Sequence, residues 1–210
     1  MNKKITGVSF SYAHNSLQTR GLSLMTDIIP MNIVDMTTFD MPMCNSNKSD
    51  GVVPKSVDNF ISVLEEADIL VFAISEATGH YSAGFKNAMD WLVVKSQFNA
   101  KLGTNYAITD KPIFVITFTP TKYEPNGARH FDMTSQLLVK LGANVIDTYV
   151  INDSWKTIIP GATDAVQRPC TGIKEFCDTY APSNKLPVAV ADNSPQWLTA
   201  YNEWDEKWKE

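Results

Sequence analysis

The segment that most constrains how this chain folds is residues 69–74, Ile-Leu-Val-Phe-Ala-Ile, six apolar residues in a row between Asp68 and Ser75. A strand with one face in water alternates polar and apolar side chains, so a run without alternation reads as a strand covered on both faces, as in a parallel sheet with helices on either side. The flanks agree. Val57, Phe60, Ile61 and Leu64 recur at helical spacing before the run, and Phe85, Met89, Leu92 and Val93 do so after it.

The same alternation extends over the first 150 residues, which is the mark of βαβ units. Further strands are expected at residues 4–10, 32–36, 113–118 and 144–151. A first helix carries Leu17, Gly21, Leu24 and Ile28 on one face and is stopped by Pro30; a fourth carries Met133, Leu137, Leu138 and Leu141. A fifth, over 173–180, has Ile173, Phe176, Cys177 and Tyr180 at i, i+3, i+4 and i+7. The expected class is α/β, a doubly wound five-stranded parallel sheet with helices on both faces. A long polar connection runs from the second strand to Pro54. Residues 183–210 stand apart as a C-terminal helical extension, with Trp197, Tyr201, Trp204 and Trp208 at helical spacing among charged residues. The expected division is therefore 1–182 and 183–210.

Composition narrows the partners. A chain of 210 residues buries about 70% of its unfolded surface. With 18 basic against 23 acidic side chains the net charge is −5, and no Lys/Arg cluster offers a face for a phosphate backbone, so nucleic acid is not expected. The longest apolar runs are a few residues, whereas a spanning helix needs about 20, so no membrane partner is expected. The start, MNKKITGVSFSY, has a basic tip but is broken by Thr6, Gly7, Ser9 and Ser11, unlike a secretory leader. Three cysteines, Cys44, Cys170 and Cys177, fit reduced thiols. A cytoplasmic protein with a small-molecule partner is the expectation.

In an open parallel sheet, ligands bind at the carboxyl ends of the strands where the strand order reverses. The loop after the first strand, Ser9-Phe-Ser-Tyr-Ala-His-Asn-Ser16, enters a helix. The hydroxyls of Ser9, Ser11 and Ser16, the Asn15 amide and the N–H groups of a helix N-terminus are the parts that hold a phosphate without a metal. They are equally the parts of an ordinary helix cap. The loop is neither a Walker sequence nor a GxGxxG turn, and the chain has no metal-ligand spacing and no nucleophile elbow.

The stretch Glu66 to Leu92 contains Ser75-Glu-Ala-Thr-Gly-His80 and Lys86-Asn-Ala-Met-Asp-Trp-Leu92. It resembles the NADPH-dependent FMN reductase family, whose members carry a PEYNGS-type loop followed by a helix ending in KNALDWL. The first loop is similar to that family's GSxRxxSxN segment, Asp35 to Cys44 to its D-L-x-x-x-D/L-P-x-Y stretch, and Asn126-Gly-Ala-Arg129 with Leu141-Gly-Ala143 to its GGxRxxxxL and LGA segments. The resemblance covers roughly residues 4 to 150.

The resemblance implies a flavodoxin-like sheet of order 2-1-3-4-5 and an oxidoreductase that uses FMN with NADPH or NADH as reductant. Hydride would pass from nicotinamide to flavin and then to a small acceptor such as a quinone, an azo compound or free flavin. It implies a homodimer, with the helix around Lys86 to Leu92 near the interface. Cofactor contacts would fall to Ser9, Ser11, Asn15, Ser16, Leu17, Glu76, Ala77, Thr78, Gly79 and Thr119, with no side chain assigned a catalytic role and no metal. Two other readings stand beside it: a flavodoxin-like electron carrier, and a non-catalytic flavin-binding or scaffold protein with a degenerate site.

The departures from the family pattern are specific. Ser11 stands where the family has Arg, His14 and Ser16 replace its second Ser and its Asn, and Ala77 replaces the loop aromatic, for which Tyr81 or Tyr123 are the candidate substitutes. Either the phosphate is held by hydroxyls and backbone alone or the cofactor is weakly bound. Lys86 reads as half of a structural ion pair and Trp91 as packing. His80 and His130 read as surface residues, with proton donation to a substrate as the sharper alternative.

Overall fold

The computed structural model describes residues 3–45, 53–98, 106–120, 122 and 128–180. The polar connection over 46–52, Tyr123, Asn126 and the extension at 183–210 lie outside the described residues. The elements run β1 (Ile5–Phe10), α1 (Leu17–Thr26), β2 (Asn32–Asp35), a 3-10 turn at Met36–Thr38 and α2 (Lys55–Glu66). They continue β3 (Ile69–Ile74), a two-stranded hairpin β4 (Glu76–Ala77) and β5 (His80–Tyr81), α3 (Ala83–Phe98), β6 (Pro112–Phe118) and α4 (Phe131–Lys140). The described part closes with β7 (Asn144–Ile151), a single turn α5 (Ser154–Thr157), a 3-10 turn at Thr163–Val166 and α6 (Gln167–Thr179). The main sheet has the order β2-β1-β3-β6-β7, every neighbour parallel. This is the expected flavodoxin-like doubly wound arrangement, with β6 and β7 as its fourth and fifth strands.

β3 has no solvated face. All six of its residues are buried, and the period of two divides them between two cores. Leu70, Phe72 and Ile74 join Val8, Phe10, Ile113 and Val115 on the side covered by α2, α3 and α4. Ile69, Val71 and Ala73 join Ile5, Phe114, Ile116 and Phe118 on the side covered by α1 and α6. Val57, Phe60, Ile61 and Leu64 of α2 are buried as their spacing requires. Helix α4 ends at Gly142 (φ +78), whose N–H meets the Val139 carbonyl while Ala143 N–H meets that of Leu138. This is a Schellman cap, and it gives the Leu141-Gly-Ala143 segment a structural reason.

Two helices differ from expectation. α1 buries Gln18, Gly21, Leu22 and Met25, leaving Leu17 and Leu24 at the margins of the contact. The face turns because Gly21 lies against Phe118: a Cβ there would come within 2.3 Å of the ring. α6 starts at Gln167 rather than near 173 and buries Pro169, Cys170 and Ile173. Proline in a first turn removes an N–H that has no helical partner in any case, so it does not mark a break there.

His130 is a correction: it is wholly buried, not on the surface. Its Nε2 lies 2.8 Å from Thr117 Oγ1 and its Nδ1 lies 3.0 Å from Thr134 Oγ1. Thr117 has one hydroxyl proton and donates it to the Ile74 carbonyl at 3.0 Å. Nε2–H therefore donates to Thr117, and Nδ1 accepts from Thr134. Burial pushes the imidazole down to about 4, against a smaller opposing pull from Glu76. His80 is exposed, edge-on to the Tyr81 ring at 4.2 Å.

Gly21→Ala is expected to lower stability by up to about 2 kcal/mol in urea unfolding, because overpacking against a buried ring costs about 1–3 kcal/mol and helix propensity returns about 1; a variant more stable than wild type would mean that α1 and β6 can move apart at no cost. For His130 the folded state takes up its proton near pH 4 and the unfolded chain near 6.5, so the imidazole's contribution is intact above pH 6.5 and declines as pH falls toward 4. The stability of the wild type relative to His130→Gln should therefore fall by about 2 kcal/mol between pH 7 and pH 5. A constant difference across that window would contradict a neutral buried imidazole.

Candidate functional site

The chain leaves β1 toward β2 on one side and reaches β3 on the other, so the order reverses at β1. Beside that switch point lies a cleft of about 680 Å³ at the carboxyl ends of the strands. Its floor and walls come from the loop between β1 and α1, from Ser75 and Glu76 after β3, from Phe118, Thr119 and Pro120 at the end of β6, and from Trp155 and Ile159 after β7.

The first loop is built as a helix start. Ser16 is the N-cap of α1, extended at φ −64, ψ 162, and its Oγ accepts from Thr19 N–H at 3.2 Å. Beneath it, Thr19 Oγ1 donates to Asp35 Oδ2 at 2.8 Å and lies 2.8 Å from Ser9 Oγ. Asp35 Oδ1 in turn accepts from the Thr37 N–H and hydroxyl at 2.9 and 2.8 Å. With the proton of Thr19 committed to Asp35, Ser9 and Ser16 both donate to Thr19 Oγ1, at 2.8 and 3.0 Å, so the Ser16 proton reaches the cleft only by leaving Thr19. Asn15 adopts a left-handed conformation (φ +56), and its carbonyl accepts from Arg20 Nε at 3.1 Å.

Two sets of hydrogen bonds hold the opposite wall. The Gln18 amide, buried at the start of α1, donates to the Phe118 carbonyl at 2.8 Å and accepts from Phe118 N–H at 3.1 Å. A side chain thus continues the ladder where β6 ends, and it fixes the helix N-terminus against the strand. Across β6 and β7, Thr119 N–H donates to the Ile151 carbonyl and Ser154 N–H to the Thr119 carbonyl, each at 3.0 Å. Asp153 at φ +50 turns the chain there, leaving Trp155 62% exposed at the rim.

The hairpin after β3 pairs Glu76 with Tyr81 and Ala77 with His80 around a two-residue turn, Thr78 (φ +53) and Gly79 (φ +76). Two left-handed residues are the geometry of a turn that favours Asn-Gly, so Thr78 sits in a strained conformation. Arg129 lies along the turn, its side-chain atoms 3.6 Å from where a Gly79 Cβ would be. The hairpin is anchored at its base, since Ser75 and Ser82 both donate to the Phe10 carbonyl, at 3.2 and 2.7 Å. Within α3, Asn87 and Trp91, one turn apart, both donate to the Pro42 carbonyl, at 3.0 and 2.8 Å, and Asn87 Oδ1 accepts from Cys44 N–H. The Lys86-to-Leu92 motif therefore clasps the segment after β2; Trp91 is packing, and Lys86 pairs with Asp90.

Of the residues expected at the site, Ser11, Asn15, Ser16, Leu17, Glu76 and Thr119 line the cleft together. Ser9 is fully buried under the loop, as support rather than lining. Ala77, Thr78 and Gly79 lie on the hairpin outside the cleft lining. Sequence reasoning missed Gln18, Arg20, Trp155 and Ile159. Gln and Arg near a helix start read as solvent-facing, and the turn after β7 carries no pattern of its own. Among the described residues no three His, Cys, Asp or Glu side chains gather as metal ligands, and no helix is long and apolar enough to cross a membrane.

The fold has known counterparts. The flavoenzyme NAD(P)H:(acceptor) oxidoreductase FerB of Paracoccus denitrificans superposes with a TM-score of 0.57 at 19% identity over 69% of this chain and 75% of its own. An azoreductase of Bacillus anthracis gives 0.57 at 14% identity over 83% of this chain and 100% of its own, and a putative quinone reductase of Klebsiella pneumoniae gives 0.58 at 14% over 90% and 88%. At such identities these likenesses speak to fold alone. No curated protein matches the sequence. A sequence model of the NADPH-dependent FMN reductases, however, matches residues 3–157. That span holds every strand of the sheet and every residue lining the cleft except Ile159, so the chain belongs to the NADPH-dependent FMN reductase family.

Proposed function

We propose that this FMN-dependent NAD(P)H oxidoreductase passes its electrons to a small organic acceptor, a quinone, an azo compound or free flavin, and that the cleft between the first loop and the end of β6 holds its cofactor. The observation that carries the reading is the donor set at the start of α1. Ser11, Asn15 and Ser16 ring the N-terminal turn, whose Leu17 and Gln18 N–H groups have no partner within the helix, and these are donors for a phosphate monoester rather than for a metal.

FMN, when bound, supplies the redox chemistry by accepting hydride from the nicotinamide and yielding electrons to the acceptor. The chain's own part is binding, orientation and exclusion of water. Ser16 keeps its oxygen tied to Thr19 N–H as the cap, and a bound phosphate would draw its hydroxyl proton away from Thr19 Oγ1, 3.0 Å off. Phe118, Pro120, Trp155 and Ile159 provide apolar wall, and Glu76 and Thr119 a polar edge. Neither chemical step calls for an acid or base from the protein, in keeping with a buried, neutral His130.

The acceptor class follows the neighbours that share the fold, among them an azoreductase, a quinone reductase and an acceptor-directed flavoenzyme. A homodimer, a cytoplasmic location and a separate C-terminal unit from residue 183 complete the proposal.

The test is reconstitution. Purified protein incubated with FMN is expected to turn yellow and melt at a higher temperature, since a ligand that binds only the native state stabilises it. Its visible flavin band should bleach anaerobically with NADPH or NADH and return on adding a quinone. Bleaching only with a separate reductase would favour a carrier, and an unchanged melting temperature in excess FMN would remove the cofactor site.

A further inference from the structure

The first loop, residues 9 to 16, contains no Lys or Arg, and Ser11 occupies the place of the family's arginine. A dianionic phosphate would also share the cleft with the carboxylate of Glu76. Yet Arg20 lines the same cleft from the second turn of α1. Long side chains on a helix point back toward its N-terminus, over the residues three and four positions earlier, which for Arg20 are Leu17 and Ser16. The direction is fixed by a hydrogen bond: Nε donates to the Asn15 carbonyl at 3.1 Å, and the left-handed turn at Asn15 is what presents that carbonyl. With Nε occupied, the two Nη groups remain as a fork, and among the described residues Arg20 enters no ion pair.

We infer that Arg20 binds the phosphate monoester of FMN, supplying from the helix the charge that other family members supply from the loop, and that it makes the site select FMN over riboflavin. The inference rests on the FMN reading of the cleft. The donors are then complete: hydroxyls and N–H groups from the cap on one side, a guanidinium on the other. The same group could equally meet a phosphate of the nicotinamide dinucleotide, so the experiment separates the two sources.

The measurement is the dissociation constant of FMN and of riboflavin for the full-length apoprotein, by flavin fluorescence quenching, in wild type, Arg20→Gln and Arg20→Lys, with the KM for NADPH and NADH of the loaded enzymes. Loss of one charge-assisted pair is expected to weaken FMN about 10- to 100-fold in Arg20→Gln while riboflavin stays within about twofold, with partial rescue in Arg20→Lys and no change in the NADPH/NADH ratio. Equal weakening of both flavins would make Arg20 a support for the loop and overturn the inference, as would an unchanged FMN constant. A shift in the NADPH/NADH ratio with unchanged flavin selectivity would assign the guanidinium to the reductant instead. A wild type that binds neither flavin would overturn the cofactor reading itself, whereas tight FMN binding indifferent to Arg20 overturns this inference alone.

Discussion

β3 is hydrogen-bonded on both edges and covered on both faces, by Leu70, Phe72 and Ile74 against one helical layer and by Ile69, Val71 and Ala73 against the other. A strand in that position has no solvated side chain with which to meet a ligand. Its neighbours β1 and β6 are in nearly the same state, so polar chemistry is confined to the carboxyl ends of the strands. The cleft lies there because the sheet is buried, and its residues come from loops because loops are what the ends provide.

Loops alone would leave such a site loosely defined. In this protein they are tied to regular structure at several points. Gln18 pairs with both backbone groups of Phe118, Ser75 and Ser82 share the Phe10 carbonyl, and Ser9, Thr19 and Asp35 form a hydroxyl relay from β1 through α1 to β2. Buried polar groups of this kind are costly unless paired, and here each pairing also sets the position of a cleft-lining segment. The close approach of Gly21 to Phe118 brings the helix N-terminus near enough to β6 for Gln18 to reach. Stability and site geometry share the same contacts.

Strand positions, helix α2 and the overall class were legible in the sequence because burial on both faces writes continuous apolar runs and one-sided burial writes helical periodicity. The KNAMDWL-type motif was legible as a resemblance, but its work, clasping Pro42 and Cys44 through Asn87 and Trp91, shows only in three dimensions. What was illegible shares one cause. Gln18 and His130 are polar residues in buried places, and periodicity assigns polar residues to water. Thr117 occupies a position where the alternation of β6 calls for an apolar side chain, and its partner His130 lies thirteen residues on. Arg20 stands outside the apolar periodicity of α1 and so carries no signal in the sequence, although a helix points such a side chain back at its own first turn. The cleft was thus readable as a location and only partly as a set of lining residues.

The proposed cofactor site has FMN held by its phosphate at the start of α1, facing the end of β6. A crystal structure of the FMN complex tests this most directly. Phosphate density is expected within hydrogen-bond reach of the Ser16 hydroxyl, the Leu17 and Gln18 N–H groups and the Arg20 guanidinium. Phosphate bound away from the α1 N-terminus, with Ser16 and Arg20 uninvolved, would contradict it.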